Sequence, residues 1–494
     1  MKNTFIIIPM FTTLKDIESK NYSLSATQYK SIHIINKNVK PLSFFLERTL
    51  DRTDLGMEVG SDCYVDKSPF LFVKTKALTK ESFLLDETDE SIECITPKSF
   101  NTSNLKTGDL LISKDSNVGE IVILDKDYPQ AMLCSGIYKL PIENNKFYVL
   151  AFVKSLLYRQ QIDFLVPRGS TIRHGKTKFL DCLIPLPNYN IDETIYYVEA
   201  LTKAIIKKEI KIKNKVKQID EIIINELEKH QHSEVFNYTF PSLHDIEIVC
   251  RVDARTYSKK FKKVEFLIKN YKNGVIYINE KNVCSGNTPK KRIISEENDL
   301  KFYWVTPSIY NNLGILNSHP TIDCTDNNIN QNCLLIVNRT SKGEDGKYVG
   351  LSYFYDYEYL GKGQCNQGIY KVFNYSDSDL LFFNAMLNSS PYRTYCGSIS
   401  MGSKMREIKT QDVTKIPFPV FPKTKKEEII NNYHVKGLEY EPSKCDLTSF
   451  SKYDEEFNDI AGIYELDKSL RYLQKKLTEA IYNIANDKPV VIRF

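Results

Sequence analysis

Two related stretches decide the fold, Ser135-Gly136-Ile137-Tyr138-Lys139-Leu140 and Gln367-Gly368-Ile369-Tyr370-Lys371-Val372. Their glycines lie 232 positions apart. Two further pairs follow in the same order, Gly169-Ser170-Thr171-Ile172-Arg173 with Gly402-Ser403-Lys404-Met405-Arg406, and Ile184-Pro185-Leu186-Pro187 with Ile416-Pro417-Phe418-Pro419, at separations of 233 and 232. Solenoid repeats are only ~20–50 residues long, so this period indicates duplication of a whole domain.

Upstream of these pairs the two copies align more loosely. Residues 110–113 pair with 334–337 at a separation of 224, and 70–73 resemble 302–305. Short apolar runs bounded by Gly and polar residues predict strands, whereas apolar residues at helical spacing in 147–157 and 379–387 predict helices. The fold class is therefore mixed α/β (α+β), with two similar domains that each end in a proline-rich stretch.

A long helix of a different kind follows each copy. Residues 194–230 contain no Gly or Pro, and apolar residues recur every three, four or seven positions in 191–232 and again in 463–484, which is typical of coiled-coil seams. We expect the two helices to pack antiparallel and to separate and join the domains. The main seam residues are Leu201, Ile205, Ile212, Val216, Ile219, Ile223, Leu466, Leu470, Leu473 and Leu477.

The repeat and the helices together predict the domain organisation. Residues 1–190 form the first domain, 191–232 the first long helix, 233–422 the second domain, and 423–494 a polar insertion and the second helix. Below, copy 1 denotes residues 1–190 and copy 2 denotes residues 233–422. The apolar stretch 5–11 is interrupted by Pro9 and lacks a small-residue cleavage site, so we expect a first strand or a packed terminal segment rather than a secretion signal.

Composition excludes several classes of protein. The 494 residues contain 67 Lys plus Arg and 62 Asp plus Glu, which leaves a net charge of +5. No apolar run approaches the ~20 residues of a membrane span. The 11 cysteines form no CxxC pair, so we expect neither a zinc ribbon nor a disulfide framework, and a reducing, cytoplasmic location.

Motifs of catalysis are also missing from the sequence. There is no GxxxxGK[ST], HExxH or GxSxG, and no Asn-Pro-Pro-aromatic tetrad of an amino-methyltransferase. The acidic run 454–456 is interpreted as a solvated helix start rather than a nuclease site. We therefore expect neither a metal site nor a catalytic residue in this chain.

The duplicated motifs resemble a known family. Gly108-Asp109-Leu110-Leu111-Ile112-Ser113, a Gly-Ser pair in each copy, the two closing Ile-Pro-x-Pro stretches and Arg251-Val252-Asp253-Ala254-Arg255-Thr256-Tyr257 are similar to motifs of the specificity (S) subunit of type I restriction-modification systems. Copy 2 departs from the pattern at Gln331-Asn332-Cys333, where the Gly-Asp pair is lost. The resemblance covers most of the chain.

The resemblance implies a non-catalytic subunit that binds double-stranded DNA. Each recognition domain would read one half of a bipartite target, while the helices set the spacer and dock two methyltransferase subunits, which would hold S-adenosylmethionine. Restriction subunits would join that complex, and no membrane partner is expected. Two alternatives stay open: a specificity module of another DNA-modification or phage-defence complex, and a coiled-coil scaffold that binds proteins.

Loops with cations, amides and glycine are the candidate DNA contacts, because duplex reading needs donors and acceptors for base edges and cations for phosphates. In copy 1 they are Lys114, Ser116, Asn117, Arg168, Ser170, Arg173, His174 and Lys176. In copy 2 they are Asn287, Lys290, Lys291, Arg292, Arg339, Lys342, Ser403, Lys404 and Arg406.

A lysine-rich stretch on the first long helix has two interpretations. Within 201–218 the sequence contains seven lysines and only one acid, Glu209. The lysines are either an ordinary solvated flank of the coiled coil or weak phosphate contacts between the half-sites.

Overall fold

A computed structural model describes residues 5–7, 9–19, 22, 24, 29–166, 174–232, 235–295, 300–325, 327–341 and 347–494. It contains strands and helices in both halves of the chain, which confirms the mixed α/β class. The chain divides into two compact units. Unit 1 comprises residues 1–212, 439–460 and 465–494, and unit 2 comprises residues 213–438 and 461–464. Copy 1 lies within unit 1 and copy 2 lies within unit 2.

Copy 1 combines short strands with helices, two of which follow each other directly in the chain. Its strands are β1 (Ile6–Ile7), β2 (Ser31–Ile32), β3 (Val39–Pro41), β4 (Leu71–Val73), β5 (Ile92–Cys94), β6 (Leu110–Ser113), β7 (Ile121–Ile123), β8 (Ala131–Leu133), β9 (Ile137–Leu140) and β10 (Leu183–Pro185). Its helices are α1 (Leu14–Ser19), α2 (Lys146–Lys154) and α3 (Leu156–Leu165). The apolar N-terminal stretch contributes β1, which pairs antiparallel with β2.

A single helix, α4 (Ile191–Lys229), follows copy 1. Its 39 residues extend about 58 Å at ~1.5 Å per residue. The helix begins with Asp192 and Glu193 in its first turn and ends with Lys229 in its last turn, and both placements complement the helix dipole.

Copy 2 repeats the plan with more elements. Its strands are β11 (Val275–Ile276), β12 (Val283–Ser285), β13 (Ile293–Ser295), β14 (Phe302–Val305), β15 (Thr321–Asp323), β16 (Cys333–Val337), β17 (Arg339–Thr340), β18 (Ser352–Tyr355), β19 (Gly363–Cys365), β20 (Ile369–Val372), β21 (Arg406–Glu407) and β22 (Phe418–Pro419). Its helices are α5 (Leu243–Val249), α6 (Lys259–Lys269), α7 (Tyr357–Leu360), α8 (Asp377–Asn388), α9 (Ser390–Ile399) and α10 (Thr410–Val413).

Three helices follow copy 2 where the sequence suggested an insertion and one helix. They are α11 (Lys423–Tyr433), α12 (Phe450–Ile460) and α13 (Ile463–Ala485). The break after α11 coincides with the positive φ of Gly437 and with Pro442, which begins a short 3₁₀ turn. A proline fixes its own φ and lacks an N–H donor, so the helix pattern cannot continue through this stretch.

The sheets of the two copies share one topology. In copy 1 one sheet has the order β5-β4-β8, and in copy 2 the equivalent strands β15-β14-β19 have the same antiparallel and parallel neighbours. The other sheet has the order β7-β6-β9 in copy 1, which matches β18-β16-β20 in copy 2. Copy 2 adds β13 and β12 at the sheet edges. The proline-rich ends pair in a comparable way, β10 with β3 and β22 with β11.

The strand register reproduces the sequence repeat. Leu110 lies opposite Leu140 in copy 1, and their counterparts Leu334 and Val372 lie opposite each other in copy 2. The separation of 224 applies to β6 and β16, and the separation of 232 applies to their partner strands β9 and β20. Both therefore belong to one equivalent pair of strands. The buried residues of these strands form the centre of each core, around Leu111 and Val122 in copy 1 and around Leu335 and Tyr353 in copy 2.

In unit 1 the long helices run antiparallel. Lys211 of α4 donates to Asp459 at the end of α12 (2.7 Å), just before α13 begins. Asn188, just before α4, donates to Asp487, which follows α13 (2.8 Å). Within unit 1 the seam residues are buried, namely Leu201, Ile205, Ile212, Leu466, Leu470, Leu473 and Leu477. In the part of α4 that belongs to unit 2, Ile219 and Ile223 are buried and Val216 is partly buried. Burial of apolar stripes is what holds such helices together.

Candidate nucleic-acid interface

In copy 1 the structure brings two of the candidate loops together. The loop after β6 contains Lys114, and its carbonyl accepts from the N–H of Gly175 (2.7 Å). Next to it, Asp115 forms a hydrogen bond with the ring of His174 (2.8 Å) and an ion pair with Lys114 (3.4 Å). A Cβ at position 175 would lie 2.4 Å from Val118, so glycine permits this close approach.

The remaining candidates of copy 1 have different environments. Asn117 donates to the carbonyls of Leu78 (3.2 Å) and Thr75 (3.4 Å), which ties the loop to the core. Ser116 and Lys176 have positive φ, and Lys176 is exposed. Arg168, Ser170 and Arg173 lie outside the described residues.

Copy 2 joins its equivalent loops in the same way. Strand β17 pairs with β21, and the N–H of Ile408 donates to the carbonyl of Asn338 (2.8 Å). The separations from Lys114 to Asn338 and from Gly175 to Ile408 are 224 and 233, as in the sequence repeat. In both copies the loop that follows the central strand therefore contacts the chain just after the Gly-Ser pair, at Gly175 in copy 1 and at Ile408 in copy 2. Lys342 lies outside the described residues.

The arginine that follows the Gly-Ser pair of copy 2, Arg406, already has partners within the protein. Arg406 donates to the carbonyls of Gly402 (2.6 Å) and Ser400 (2.9 Å), and the second of these closes helix α9. A cation at a helix C-terminus stabilises the unpaired carbonyls, which gives Arg406 a structural role. Arg339 is partly buried within β17, while Ser403 and Lys404 are exposed.

A third loop of copy 2, residues 287–292, carries three consecutive exposed cations. Lys290, Lys291 and Arg292 are exposed, and Arg292 donates to the carbonyl of Pro289 (2.7 Å). Thr288 donates to Gln367, whose carbonyl accepts from the side chain of Asn338 (3.0 Å). These bonds connect the third loop to Asn338, which follows the central strand of copy 2.

Three lysines of the lysine-rich stretch of α4 are paired with acids of α12. Lys208 is fully buried and pairs with Asp454 (2.8 Å), while Lys207 pairs with Glu455. Lys211 pairs with Asp459 (2.7 Å). Of the acidic run, Asp454 is buried and lies inside α12 rather than at its start, whereas Glu455 is exposed. The expectation of a solvated helix start is therefore wrong for Asp454.

The acid on this stretch, Glu209, is buried against copy 1. It accepts from the hydroxyl of Ser82 (2.7 Å) and from the N–H of Phe83 (2.9 Å). Burial raises the pKa of Glu209 to about 7 and lowers the pKa of the neighbouring Lys154 to about 8. The only acid in the sequence of this stretch is thus one of the residues through which the helix contacts copy 1.

Sequence reasoning missed a group of amides beside Asn287. Gln364 lies in β19 and is fully buried, and Asn328 is partly buried between β15 and β16. Both donate to Asn287. A glutamine inside an otherwise buried strand was the available signal, because a buried amide requires partners.

Nothing in the described part of the chain indicates a metal centre or a membrane span. No three His, Cys, Asp or Glu side chains there are placed to hold a metal ion. No helix among those residues is both long enough and apolar enough for a bilayer. The cysteines of the chain form no disulfide.

The sequence matches no protein-family model and no curated protein. Solved structures do match. The S subunit of the type I restriction-modification system from M. genitalium is 13% identical with a TM-score of 0.33, and covers 91% of this chain and 94% of its own. The HsdS subunit from Thermoanaerobacter tengcongensis is 11% identical with a TM-score of 0.26, and covers 91% and 96%.

The chain is similar to type I specificity subunits. A third match comes from work on complex assembly and conformational transition of the type I R-M system, at 12% identity and a TM-score of 0.27, over 93% of this chain and 100% of that one. The resemblance drawn from the sequence motifs thus recurs among solved structures. At these low identities and TM-scores the likeness carries no argument of its own, so a function must be argued from the geometry of the chain.

Proposed function

We propose that the chain is the DNA-specificity subunit of a type I restriction-modification complex. Each copy would contact one half of a bipartite duplex target. The chain itself would perform no chemistry. Two methyltransferase subunits, with S-adenosylmethionine bound to them, and the restriction subunits would supply the modification and cleavage activities.

One observation carries the proposal. Both copies bring the same two loops together on the same backbone frame, through the bonds of Gly175 to Lys114 and of Ile408 to Asn338. The side chains on those loops differ between the copies. A constant frame with variable donors, acceptors and cations is what two readers of different half-sites require, because phosphate contacts position a protein whereas base edges specify the sequence.

DNA binding separates this proposal from a protein-binding scaffold. The full-length chain, alone and with a co-expressed methyltransferase, is titrated against fluorescent random-sequence duplex at several salt concentrations. We expect the logarithm of the binding constant to fall linearly with the logarithm of the salt concentration, because bound cations release counterions from DNA. A chain with no salt-dependent affinity would be a scaffold, and the proposal would be wrong.

The helical spacer has its own test. We propose that α4 contributes to the distance between the half-sites, as the helical elements of dimeric DNA-binding proteins set half-site spacing. Removal of one heptad between Leu201 and Leu227 is expected to change the spacer length in the methylated motif and to leave both half-sites unchanged. A change in the half-site sequences instead would contradict this role.

A further inference from the structure

Three amide side chains form a cluster at the exposed end of copy 2. Asn287 follows β12 and has an exposed side chain. Asn328 lies on the connection between β15 and β16, and Gln364 lies in β19. We call Asn287, Asn328 and Gln364 the amide cluster. It lies at the base of the loop that carries Lys290, Lys291 and Arg292.

The backbone fixes the orientation of the two supporting amides. Asn328 accepts from the N–H of Cys365 through Oδ1 (2.8 Å) and donates to the carbonyl of the same residue through Nδ2 (3.0 Å). Gln364 donates through Nε2 to the backbone carbonyl of Asn287 (2.9 Å). Because a backbone N–H can only donate and a carbonyl can only accept, neither amide can be turned over without losing these bonds.

Both supporting amides therefore present a donor to Asn287. Its Oδ1 accepts from Nε2 of Gln364 (2.5 Å) and from Nδ2 of Asn328 (3.1 Å). Two donors occupy the two lone pairs of that oxygen. No described residue accepts a hydrogen bond from Nδ2 of Asn287, so its N–H donors stay available at an exposed position. The cluster thus holds Asn287 as a donor of fixed polarity.

We propose that Asn287 is a specificity-determining residue of copy 2, an inference that rests on the function proposed above. Its amide N–H donates to an acceptor on a base edge in the major groove, namely purine N7, guanine O6 or thymine O4. Cytosine is disfavoured at this position because its edge presents the N4 amine, a donor. Asn287 also cannot form the usual two hydrogen bonds of asparagine with adenine. That pairing requires Oδ1 as an acceptor, and Oδ1 is already occupied by Gln364 and Asn328.

The surroundings favour this role. The cations of the same loop are exposed and can contact phosphates, which would fix the register of the loop on the duplex. The orientation of Asn287 is set before DNA binds, so less conformational entropy is lost on binding than for a freely rotating amide.

Copy 1 lacks this device. Met57 occupies the position of Asn287, since its N–H donates to Leu133 as that of Asn287 donates to Cys365. Met132 occupies the position of Gln364, because Met132 pairs with Phe72 of β4 as Gln364 pairs with Trp304 of β14. The amide of Asn101 contacts the sulfur of Met57 (3.0 Å). Copy 1 therefore presents a thioether where copy 2 presents an amide donor.

Asn287→Asp tests the proposal without changing the size of the side chain. One carboxylate oxygen still accepts from Gln364 and Asn328, while the other replaces the amide donor with an acceptor. The full-length wild-type chain and the variant each select duplexes from a random-sequence pool, and the enriched motifs are compared. Asn287→Ala is selected in parallel to remove the contact, and Asn431→Asp, the same substitution at an exposed position of α11, is the matched control.

In the Asp variant we expect a preference change of about tenfold or more at one base position of one half-site, toward cytosine or adenine, whose amines can donate. The Ala variant loses discrimination at that position only, and the control keeps the wild-type motif. If the wild type selects a bipartite motif and both Asn287 variants select the same one, this inference is wrong while the proposed function stands. If the wild type selects no motif, the proposed function itself has failed.

Discussion

Copy 1 and copy 2 share their sheet topology and the contacts between their loops, here called the frame, but they differ in the exposed side chains of those loops. At equivalent positions after Gly56 and Gly286, the loop 57–62 contains Glu58 and Asp62, whereas the loop 287–292 contains three cations. Both glycines are required, because a Cβ there would lie within 2.3 Å of a backbone carbonyl oxygen of the neighbouring turn. The backbone of the loop is thus constrained at its base, whereas the exposed side chains that follow are not.

The frame is also held by a repeated arginine. Arg159 of α3 donates to the carbonyl of Val118 (2.9 Å), and Arg393 of α9 donates to the carbonyl of Val349 (2.5 Å). The next residues, Gly119 and Gly350, have φ of 80° and 81°. Copy 2 is seven residues longer than copy 1 between the central strand and this turn. The separation is 224 from Leu110 to Leu334 and 231 from Gly119 to Gly350. The insertion therefore lengthens a candidate reading loop and leaves the frame intact.

The largest expected effect breaks this shared frame. Arg159→Met and Arg393→Met should each lower the free energy of unfolding by about 2–3 kcal/mol, because each removes donors from buried acceptors. Urea unfolding measures the change, and Arg52→Met, at an exposed arginine, is the control.

In copy 1 the cost includes the charge of Glu120, which is paired with Arg159 and whose pKa is raised by burial. Adding Glu120→Gln to Arg159→Met should recover part of the loss. If either single variant unfolds within about 0.5 kcal/mol of the wild type, the arginine is not a common support of the two copies.

The difference between the loops predicts an asymmetric response to charge removal. Lys290→Gln, Lys291→Gln and Arg292→Gln together should weaken binding to random duplex by up to about a hundredfold at low salt, and lower the salt slope by about 2.7. Glu58→Gln with Asp62→Asn in copy 1 should strengthen binding slightly. Equal losses from both sets of substitutions would show that charge does not distinguish the copies.

A third prediction concerns pH and affects copy 1. The pKa of Glu209 is raised by burial from 4.5 to about 7, so its contribution to stability is fully present below about pH 4.5 and is lost as pH rises through 7. The lowered pKa of Lys154, about 8, gives a contribution that returns as pH rises above 8. Unit 1 should therefore be least stable near pH 7–8, by about 1–2 kcal/mol relative to pH 5.

Glu209→Gln should flatten the decrease between pH 5 and pH 7, as measured by urea unfolding at each pH. Copy 2 offers a comparison within the same chain. Asn388 occupies the position of Lys154, since each directly precedes the serine before the next helix, Ser389 or Ser155, and Asn388 carries no charge. Identical pH profiles of wild type and variant would rule out Glu209 as the titrating group.

The smallest expected effect concerns the helix rather than the loops. Lys207→Gln with Lys211→Gln should change stability by less than about 1 kcal/mol, because both exposed lysines are paired with exposed acids. The salt slope of DNA binding should stay at the wild-type value. If the salt slope of DNA binding falls as far as in the variant with Gln at positions 290–292, the lysines of the helix contact phosphates after all.

Sequence alone predicted the duplicated frame well. Pairing Leu110 with Leu334 and Gly136 with Gly368 anticipates the strand register, because apolar strands and turn glycines leave local patterns. The mixed α/β class was predicted for the same reason. The domain boundaries and the DNA contacts stay predictions.

The environment of each charged residue could not be predicted. Lys208 and Asp454 are 246 residues apart, and no local pattern shows that they form a buried pair. Arg406 looked like a DNA contact because it repeats Arg173, but its carbonyl partners depend on the end of helix α9. The amide cluster likewise joins three distant segments, so Asn287 was noticed as one polar loop residue without its supports.

We propose that each copy reads its own half of a bipartite target. Methylation-sensitive sequencing tests it most directly, in host cells that carry the wild-type chain, a deletion, Met57→Ala with His174→Ala in copy 1, or Asn287→Ala with Arg339→Ala in copy 2. We predict a bipartite methylated motif that disappears on deletion, with each double variant altering one half-site and a different half in each case. Methylated motifs that are unchanged by the deletion, or double variants that alter the same half, would contradict the claim.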